Sequence, residues 1–385
     1  MSVKSIESKL ELPVYPKRDI ELVRGSGARV WDVSGKEYVD CNAGNAVASV
    51  GHCNEKVVAA ICEQAKKLMI CSGGFYHARR AEALERLLSI VPQNLTKAFL
   101  CNSGCEAIEG AIKFSRLTTK RPGIIAAERG FHGRTFGALS ATYNPKYRLG
   151  FEPLLPEVSH IPFNNVKALK EAVTDKTAAV LLEVIQGEGG IYLADPDFLR
   201  AAREICDERG AMLIFDEIQT GFCRTGKFFA CQRIGVSPDI MCVAKAIAGG
   251  VPMGAIICSD KVVVDIGKHG STFGGNPLAC SAAIAAIDFM LEEDLAEQAC
   301  EKGDYLYSHL TEMDLPAVKE IRHAGLMMGI ELTEPSKPYI EKLAQEGVLV
   351  LAAGETVIRL LPPLVIDYSD IDFVLEKLQK VLGAH

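Results

Sequence analysis

Between about Val47 and Ile284, short apolar runs alternate with stretches whose apolar residues recur every three or four positions. KAFLC, GIIAA, AAVLLEV, AMLIF, IMCV and GAIIC are short and almost free of charge, as strands buried on both faces must be. CEAIEGAIKFSRLT and DFLRAAREICDERG instead gather their apolar residues on one face of a helix. This alternation predicts an α/β fold, a mainly parallel sheet flanked by helices. Ahead of it, YPKRDIELVRGSGARVWDVSGKEYVD shows short alternations broken by Gly-Ser-Gly and Ser-Gly, which predict an extended segment and a small antiparallel sheet. Beyond a helix-like stretch near Pro277 to Glu293, a smaller α+β pattern follows: AVKEIRH, LMMGIEL, PYIEKLAQEG, VLVL, TVIRLL and a closing amphipathic helix. The expected division is an N-terminal segment (1–46) joining the small domain, a large domain (47–284) and a C-terminal small domain (285–385). The N-terminal segment is expected to share its sheet with the C-terminal part.

Composition narrows the class. The 385 residues are 48% hydrophobic and 24% charged, a balance that supports packed cores and excludes disorder. A net charge of -7 with no basic block argues against binding nucleic acid or an anionic membrane. The 13 cysteines include no Cys-x-x-Cys pair, and the opening MSVKSIESKLELPVYPKRD has no apolar signal core. Reduced thiols in a cytoplasm are therefore expected. The apolar run Met241 to Cys258 approaches the length of a membrane span, but it contains Lys245, Gly249, Gly250 and Pro252 and reads as strand, turn, strand.

Two ionisable residues stand just past buried strands, where α/β proteins place their ligands: Asp216 after AMLIF, and Lys245 after IMCV. A lysine in so apolar a stretch either snorkels to the surface or has a lowered pKa as a Schiff-base lysine, with Asp216 facing a pyridinium nitrogen. Asn102-Ser103-Gly104 joins a strand to a helix, which makes either an ordinary N-cap or a phosphate cradle of free N–H groups. The loop His269 to Pro277 is either a tight turn or a source of a hydroxyl for the same phosphate. The stretch Gly221 to Lys227, GFCRTGK, nearly spells a P-loop, but Phe228 stands where Ser or Thr would bind magnesium. No GxGxxG occurs, and the histidines do not have zinc-ligand spacing.

FDEIQTGFCRTGK, AKAIAGGVPMGA and HGSTFGGNPLA, with NSGCEAIEGAIK and FHGRTFGALS before them and ETVIRLLPPLVI after, together resemble class III aminotransferases of fold type I. The resemblance runs from about Val30 to the C-terminus. GETVIRLLPPLVI resembles the acetylornithine aminotransferase group. NPKYRLGFEPLLPEV and IPFNNVKALKEAV are most similar to the archaeal and Thermus-type branch, which acts on lysine and ornithine intermediates linked to a LysW-type amino-group carrier protein. The resemblance implies pyridoxal 5'-phosphate as cofactor, a large PLP-binding domain and a smaller α+β domain. It makes Lys245 the catalytic lysine that carries the cofactor, Asp216 the partner of its ring nitrogen, Gln219 a donor to its phenolic oxygen and Phe131 its stacking partner. Ser103, Gly104 and Cys105 would cradle the phosphate, Cys105 by its backbone alone, since a small or polar residue is more usual there. Thr272 would reach the phosphate from the second subunit of a homodimer.

For the substrate, the resemblance assigns Arg134 to the α-carboxylate of an ornithine-like donor and Arg359 to that of glutamate or 2-oxoglutarate. Glu188 would neutralise Arg359 when the donor is bound, and Ser271 would lie on the substrate side. The implied reaction moves a terminal amino group between an N-protected ornithine or lysine and 2-oxoglutarate, in arginine or lysine biosynthesis. Ornithine or 4-aminobutyrate transamination and a semialdehyde aminomutase are the alternatives. The segment Cys71 to Arg80, CSGGFYHARR, departs most from the family where entrance residues are expected.

Overall fold

The computed structural model describes residues 2–383. Seven strands form its largest sheet: β1 (Leu95–Cys101), β2 (Gly123–Ala127), β3 (Val158–Ile161), β4 (Thr177–Glu183), β5 (Met212–Asp216), β6 (Ile240–Val243) and β7 (Gly254–Ser259). They lie in the order β1-β7-β6-β5-β4-β2-β3. Neighbours are parallel except at β7, which runs antiparallel to both β6 and β1.

Every residue of β4 and β5 is buried, which is why their sequences read as unbroken apolar runs. Alternate side chains enter opposite layers: Val180 and Leu182 join Phe198 and Leu199, while Ala179 and Leu181 join Ala107, Ile108 and Ala111. Each fully buried leucine stabilises the fold by about 2 kcal/mol. The helix Pro196–Arg209 forms one layer, started by Pro196 in its first turn and stopped by Gly210 at φ 64°. The helix Gly104–Thr119 covers the other face with Ala107, Ile108, Ala111, Ile112 and Phe114.

The run from Met241 to Cys258 is indeed strand, turn, strand: β6, a 3-10 turn at Lys245–Ala248, then β7. Among the described residues no helix is long and apolar enough to cross a membrane. The helix Pro277–Glu292 is apolar nearly all round because it is enclosed by the helices Glu55–Ala65 and Ala78–Ile90 and by the Lys245 turn.

A second, antiparallel sheet takes Val318–Ala324, Met327–Leu332, Val357–Leu360 and Leu351–Ala353 in that order. The expected N-terminal sheet is present as Leu22–Ser26, Arg29–Asp32 and Glu37–Asp40, antiparallel throughout. Val348–Leu349 adds to it, parallel to Glu37–Asp40, so the two ends of the chain do share a sheet. The sequence pattern missed four of the longer helices: Val3–Leu10, Glu55–Ala65, Ala78–Ile90 and Leu295–Glu312. Val3–Leu10 buries no residue, and the buried face of Leu295–Glu312 includes Lys302 and Gly303, which mark no apolar period.

The near-P-loop stretch proves to be a structural tie. Arg224 is fully buried; its Nη1 donates to the carbonyls of Leu326 (3.0 Å) and Pro362 (2.5 Å), and its Nη2 to Ser49 Oγ (3.1 Å). Burial lowers its pKa to about 9. Three distant segments thus meet on one guanidinium, and no phosphate is needed to explain it.

Candidate active site

The carboxyl ends of β1, β4, β5 and β6, with the loop after β2, converge on one cavity of about 380 Å³. From β1 the chain turns through Asn102 and Ser103 into the helix at Gly104. Ser103 is extended (φ -154°), and its Oγ accepts the N–H of Glu106 at 3.2 Å, an N-cap that leaves the first N–H groups of the helix facing the cavity. β7 supports this turn from beneath: a Cβ on Gly254 would lie 2.7 Å from the Ser103 carbonyl, so only glycine allows the approach. Asn102 Nδ2 also donates to Ser271 Oγ (3.0 Å), drawing the second small-residue loop alongside.

Asp216 ends β5, buried, with Oδ1 accepting Ile218 N–H (3.1 Å) and Oδ2 accepting His132 Nδ1–H (2.7 Å). Burial pulls the His132 pKa down, but the hydrogen bond to Asp216 and its charge outweigh it and leave the net shift upward. On the next strand Glu183 is the register partner of Asp216. Its Oε2 accepts Phe131 N–H (3.0 Å) and its Oε1 accepts Gly187 N–H (3.2 Å), tying together the two loops that carry Phe131 and Glu188. Burial raises the Glu183 pKa to about 7; His132 pulls it down and Asp216 pushes it up.

Lys245 opens the 3-10 turn after β6 with φ 48°, a left-handed conformation that costs energy outside glycine. Burial lowers its pKa to about 8; Glu188 and Asp216 oppose the shift and Arg359 adds to it. The sign fixes a prediction. A folded-state pKa near 8 against an ordinary 10.5 makes protonated Lys245 a folding penalty that is full below about 8 and gone above 10.5. In cofactor-free protein, Lys245→Met should therefore be more stabilised relative to wild type near pH 7, with the gap closing as the pH rises through that window. Urea unfolding midpoints across the range measure it, and a gap independent of pH would contradict the assignment.

Opposite Lys245, the Arg359 side chain is buried on the strand Val357–Leu360; its Nη1 donates to Glu188 Oε1 (2.6 Å) and Gln219 Oε1 (3.1 Å). Burial alone would raise the Glu188 pKa, but the Arg359 and Lys245 charges hold it below the usual carboxylate range. Ser103, Gly104, Cys105, Phe131, Glu188, Asp216, Gln219 and Lys245 all line the cavity, as expected. Arg134, Ser271, Thr272 and Arg359 do not. Arg359 reaches it through Glu188 and Gln219, Ser271 is turned toward Asn102, and Thr272 is exposed. Within Cys71 to Arg80, Tyr76 is fully exposed, while Arg80 Nε donates to the Gly275 carbonyl (2.9 Å). His132 and Glu183 were missed. His132 was visible only as a letter within FHGRT, and Glu183 only as the lone charge in AAVLLEV.

The residues fit pyridoxal 5'-phosphate: N–H groups at a helix start for its phosphate, a buried carboxylate held by His132 for its ring nitrogen, and a half-buried amine of lowered pKa on the same cavity wall. His132 Nε2 and Arg359 Nε are buried without partners among the described residues, so polar capacity remains at the site.

The fold and these groups define a transaminase of fold type I. The chain belongs to the Aminotransferase class-III family, matched over residues 14–382, and is a pyridoxal-phosphate-dependent enzyme. It is 48% identical over 382 residues to the LysW-aminoadipate semialdehyde transaminase of Deinococcus radiodurans, covering 98% of this chain and 89% of that one. It is 46% identical to the acetylornithine aminotransferase of Methanosarcina acetivorans, covering 98% and 96%. The solved ornithine aminotransferase of Toxoplasma gondii superposes with a TM-score of 0.94 at 33% identity, covering 98% and 94%. A further structure of that enzyme is described as showing partial PLP occupancy at its active site.

Proposed function

We propose that this enzyme moves the terminal amino group between an N-protected ornithine or lysine, acetylated or linked to an amino-group carrier protein, and 2-oxoglutarate or glutamate, in arginine or lysine biosynthesis. The observation that carries the reading is the contrast between two arginines. Arg359 is neutralised from within by Glu188, whereas among the described residues the Arg134 guanidinium pairs with no carboxylate. A donor with one carboxylate and a distal amine seats on Arg134 and leaves the Glu188–Arg359 pair intact. A diacid such as glutamate draws Arg359 away from Glu188. One site then takes two substrates of different shape in turn, each gripped by a guanidinium fork.

The cofactor supplies an electron sink for the carbon beside the transferred nitrogen. Lys245 Nζ would carry the cofactor between turnovers and would take the proton from that carbon and pass it to the cofactor's C4', a task suited to an amine with a lowered pKa. Asp216, held on both oxygens, keeps the proton on the ring nitrogen; Gln219 serves the phenolic oxygen, and Phe131 bounds the ring face. Ser103, Gly104 and Cys105 hold the phosphate by their N–H groups.

Thr272 completes that cradle from a second copy, its exposure in the single chain supporting a homodimer, and Ser271 stands on the substrate side. Thirteen unpaired cysteines support a reducing, cytoplasmic setting. The three larger sheets support the division into 1–46, 47–284 and 285–385, with the first and last parts forming the small domain around Val348–Leu349.

Acylation removes the charge and nucleophilicity of the α-nitrogen, so only the terminal amine can react. The second-order rate constant is expected to be about tenfold or more higher for N-acetylornithine or carrier-linked lysine than for ornithine or 4-aminobutyrate. Glu188→Ala should narrow that gap by freeing Arg359. Amino-donor profiling of the purified enzyme tests both statements. 4-Aminobutyrate as the best donor would overturn the biosynthetic reading, and activity without any 2-oxo acid would point to a mutase.

A further inference from the structure

Arg134 reaches its position from a loop that gives it little lateral support. Its residue is exposed, and its side chain rests chiefly on aromatic faces: the guanidinium carbon lies 3.8 Å from the centroid of the Tyr147 ring and 5.6 Å from that of Phe131. Tyr147 in turn meets Phe131 edge to face, with centroids 5.7 Å apart and planes at 83°. One phenol ring thus touches both the residue that bounds the cavity and the arginine that takes a carboxylate.

Tyr147 is itself held without help from a ligand. It lies on the short helix Pro145–Arg148, where Asn144 Oδ1 accepts Lys146 N–H and the Asn144 carbonyl accepts Tyr147 N–H, both at 3.0 Å. The segment leading to it is strapped to the Arg134 loop. Tyr143 N–H donates to the Gly130 carbonyl (2.9 Å) and His132 N–H to Thr142 Oγ1 (2.9 Å), while the Thr142 hydroxyl shares its one proton between the Ala138 (3.1 Å) and Gly133 (3.2 Å) carbonyls. The loop is pinned on its other side, where Arg134 N–H donates to Cys105 Sγ (3.3 Å). The backbone on both sides of the stack is therefore fixed, and the free variable is the four-bond arginine side chain.

A ring beneath the guanidinium restricts that variable and leaves its N–H edge open. The cation uses the π face, while all five N–H groups remain for a carboxylate. A hydrogen-bonding or acidic neighbour would orient the fork only by occupying it, as Glu188 does to Arg359. We propose that Tyr147 is the positioning residue for Arg134, setting the plane in which its guanidinium receives the α-carboxylate of the amino donor. This rests on the assignment of that carboxylate to Arg134 made above. The thermodynamic consequence is preorganisation: without the ring, the donor must immobilise the arginine as it binds, which weakens binding more than it slows the bound complex.

The test uses the holoenzyme in single turnovers with N-acetylornithine, following the absorbance of the bound cofactor, for Tyr147→Leu, Tyr147→Gln, Tyr147→Phe and each combined with Arg134→Ala. Cofactor content and thermal midpoint are measured alongside. Losing the ring should weaken the apparent Kd for the donor about tenfold with the limiting rate nearly unchanged, while Tyr147→Phe stays within about twofold of wild type. The glutamate half-reaction, where Arg359 supplies a second grip, should lose less. In the Arg134→Ala background the Tyr147 substitutions should have no further effect. Additive losses in that background, or a loss in Tyr147→Phe equal to that in Tyr147→Leu, would overturn the proposal while leaving the role of Arg134 standing. An Arg134→Ala enzyme with an undiminished donor half-reaction would instead remove the carboxylate assignment itself, and the proposal with it.

Discussion

Lys245→Ala is expected to lower turnover by about four orders of magnitude or more, since both the nucleophile and the proton carrier are lost with one side chain. The protein should still bind the cofactor through the helix start at Gly104 and the Asp216 carboxylate, but more weakly and without a covalent bond. Borohydride reduction of the wild type should leave the cofactor's mass on the peptide containing Lys245. The same treatment of the variant should leave no peptide labelled. Label on a different lysine would remove the assignment. The expectation follows from position: Lys245 lies half-buried on the cavity wall at the start of a strained turn, with its amine made more readily neutral by desolvation.

The second large effect separates the two arginines. Arg359→Ala should reduce the glutamate half-reaction about ten- to a hundredfold while damaging the N-acyl diamine half-reaction less. Arg134→Ala should show the opposite bias, since each removes a charge-assisted contact of about 1.5–3 kcal/mol. Arg359→Ala also strands Glu188, whose low pKa depends on that guanidinium, so its carboxyl should titrate higher in the variant. Absorbance changes in separate half-reactions measure the bias. Equal losses in both would show that the two carboxylate roles are wrongly divided.

How far the sequence could be read depended on how far the relevant physics is local. β4, β5 and β6 announce themselves because a strand buried on both faces must be apolar throughout, and Asp216 and Lys245 stand out against that background. Ser103 was legible for the same reason, since capping is a matter of a few adjacent residues. The family resemblance supplied Arg134, Glu188 and Arg359, and the 2.6 Å contact between the last two is a pairing that sequence spacing could never indicate. Glu183 escaped because its importance lies in register: only the pairing of β4 with β5 sets it beside Asp216. His132 escaped because a lone histidine among small residues reveals nothing until its Nδ1 is seen facing a carboxylate. The stretch Gly221 to Lys227 could be set aside as a P-loop from Phe228, but what its Arg224 does was illegible, because its three partners come from residues far along the chain in both directions.

The parallel pairing of Val348–Leu349 with Glu37–Asp40 bears on how the protein is made. During synthesis the first three strands emerge early and can form their hairpins. Their last strand, however, presents an unsatisfied row of backbone groups until the ribosome has delivered roughly 300 further residues. That open edge is a hazard shared by every nascent copy, because the same edge on a neighbouring chain offers the same pattern. Closure waits for the same span of chain that brings Arg359 to the site. A molecule that has sealed this edge has therefore all but finished assembling its means of telling one substrate from the other.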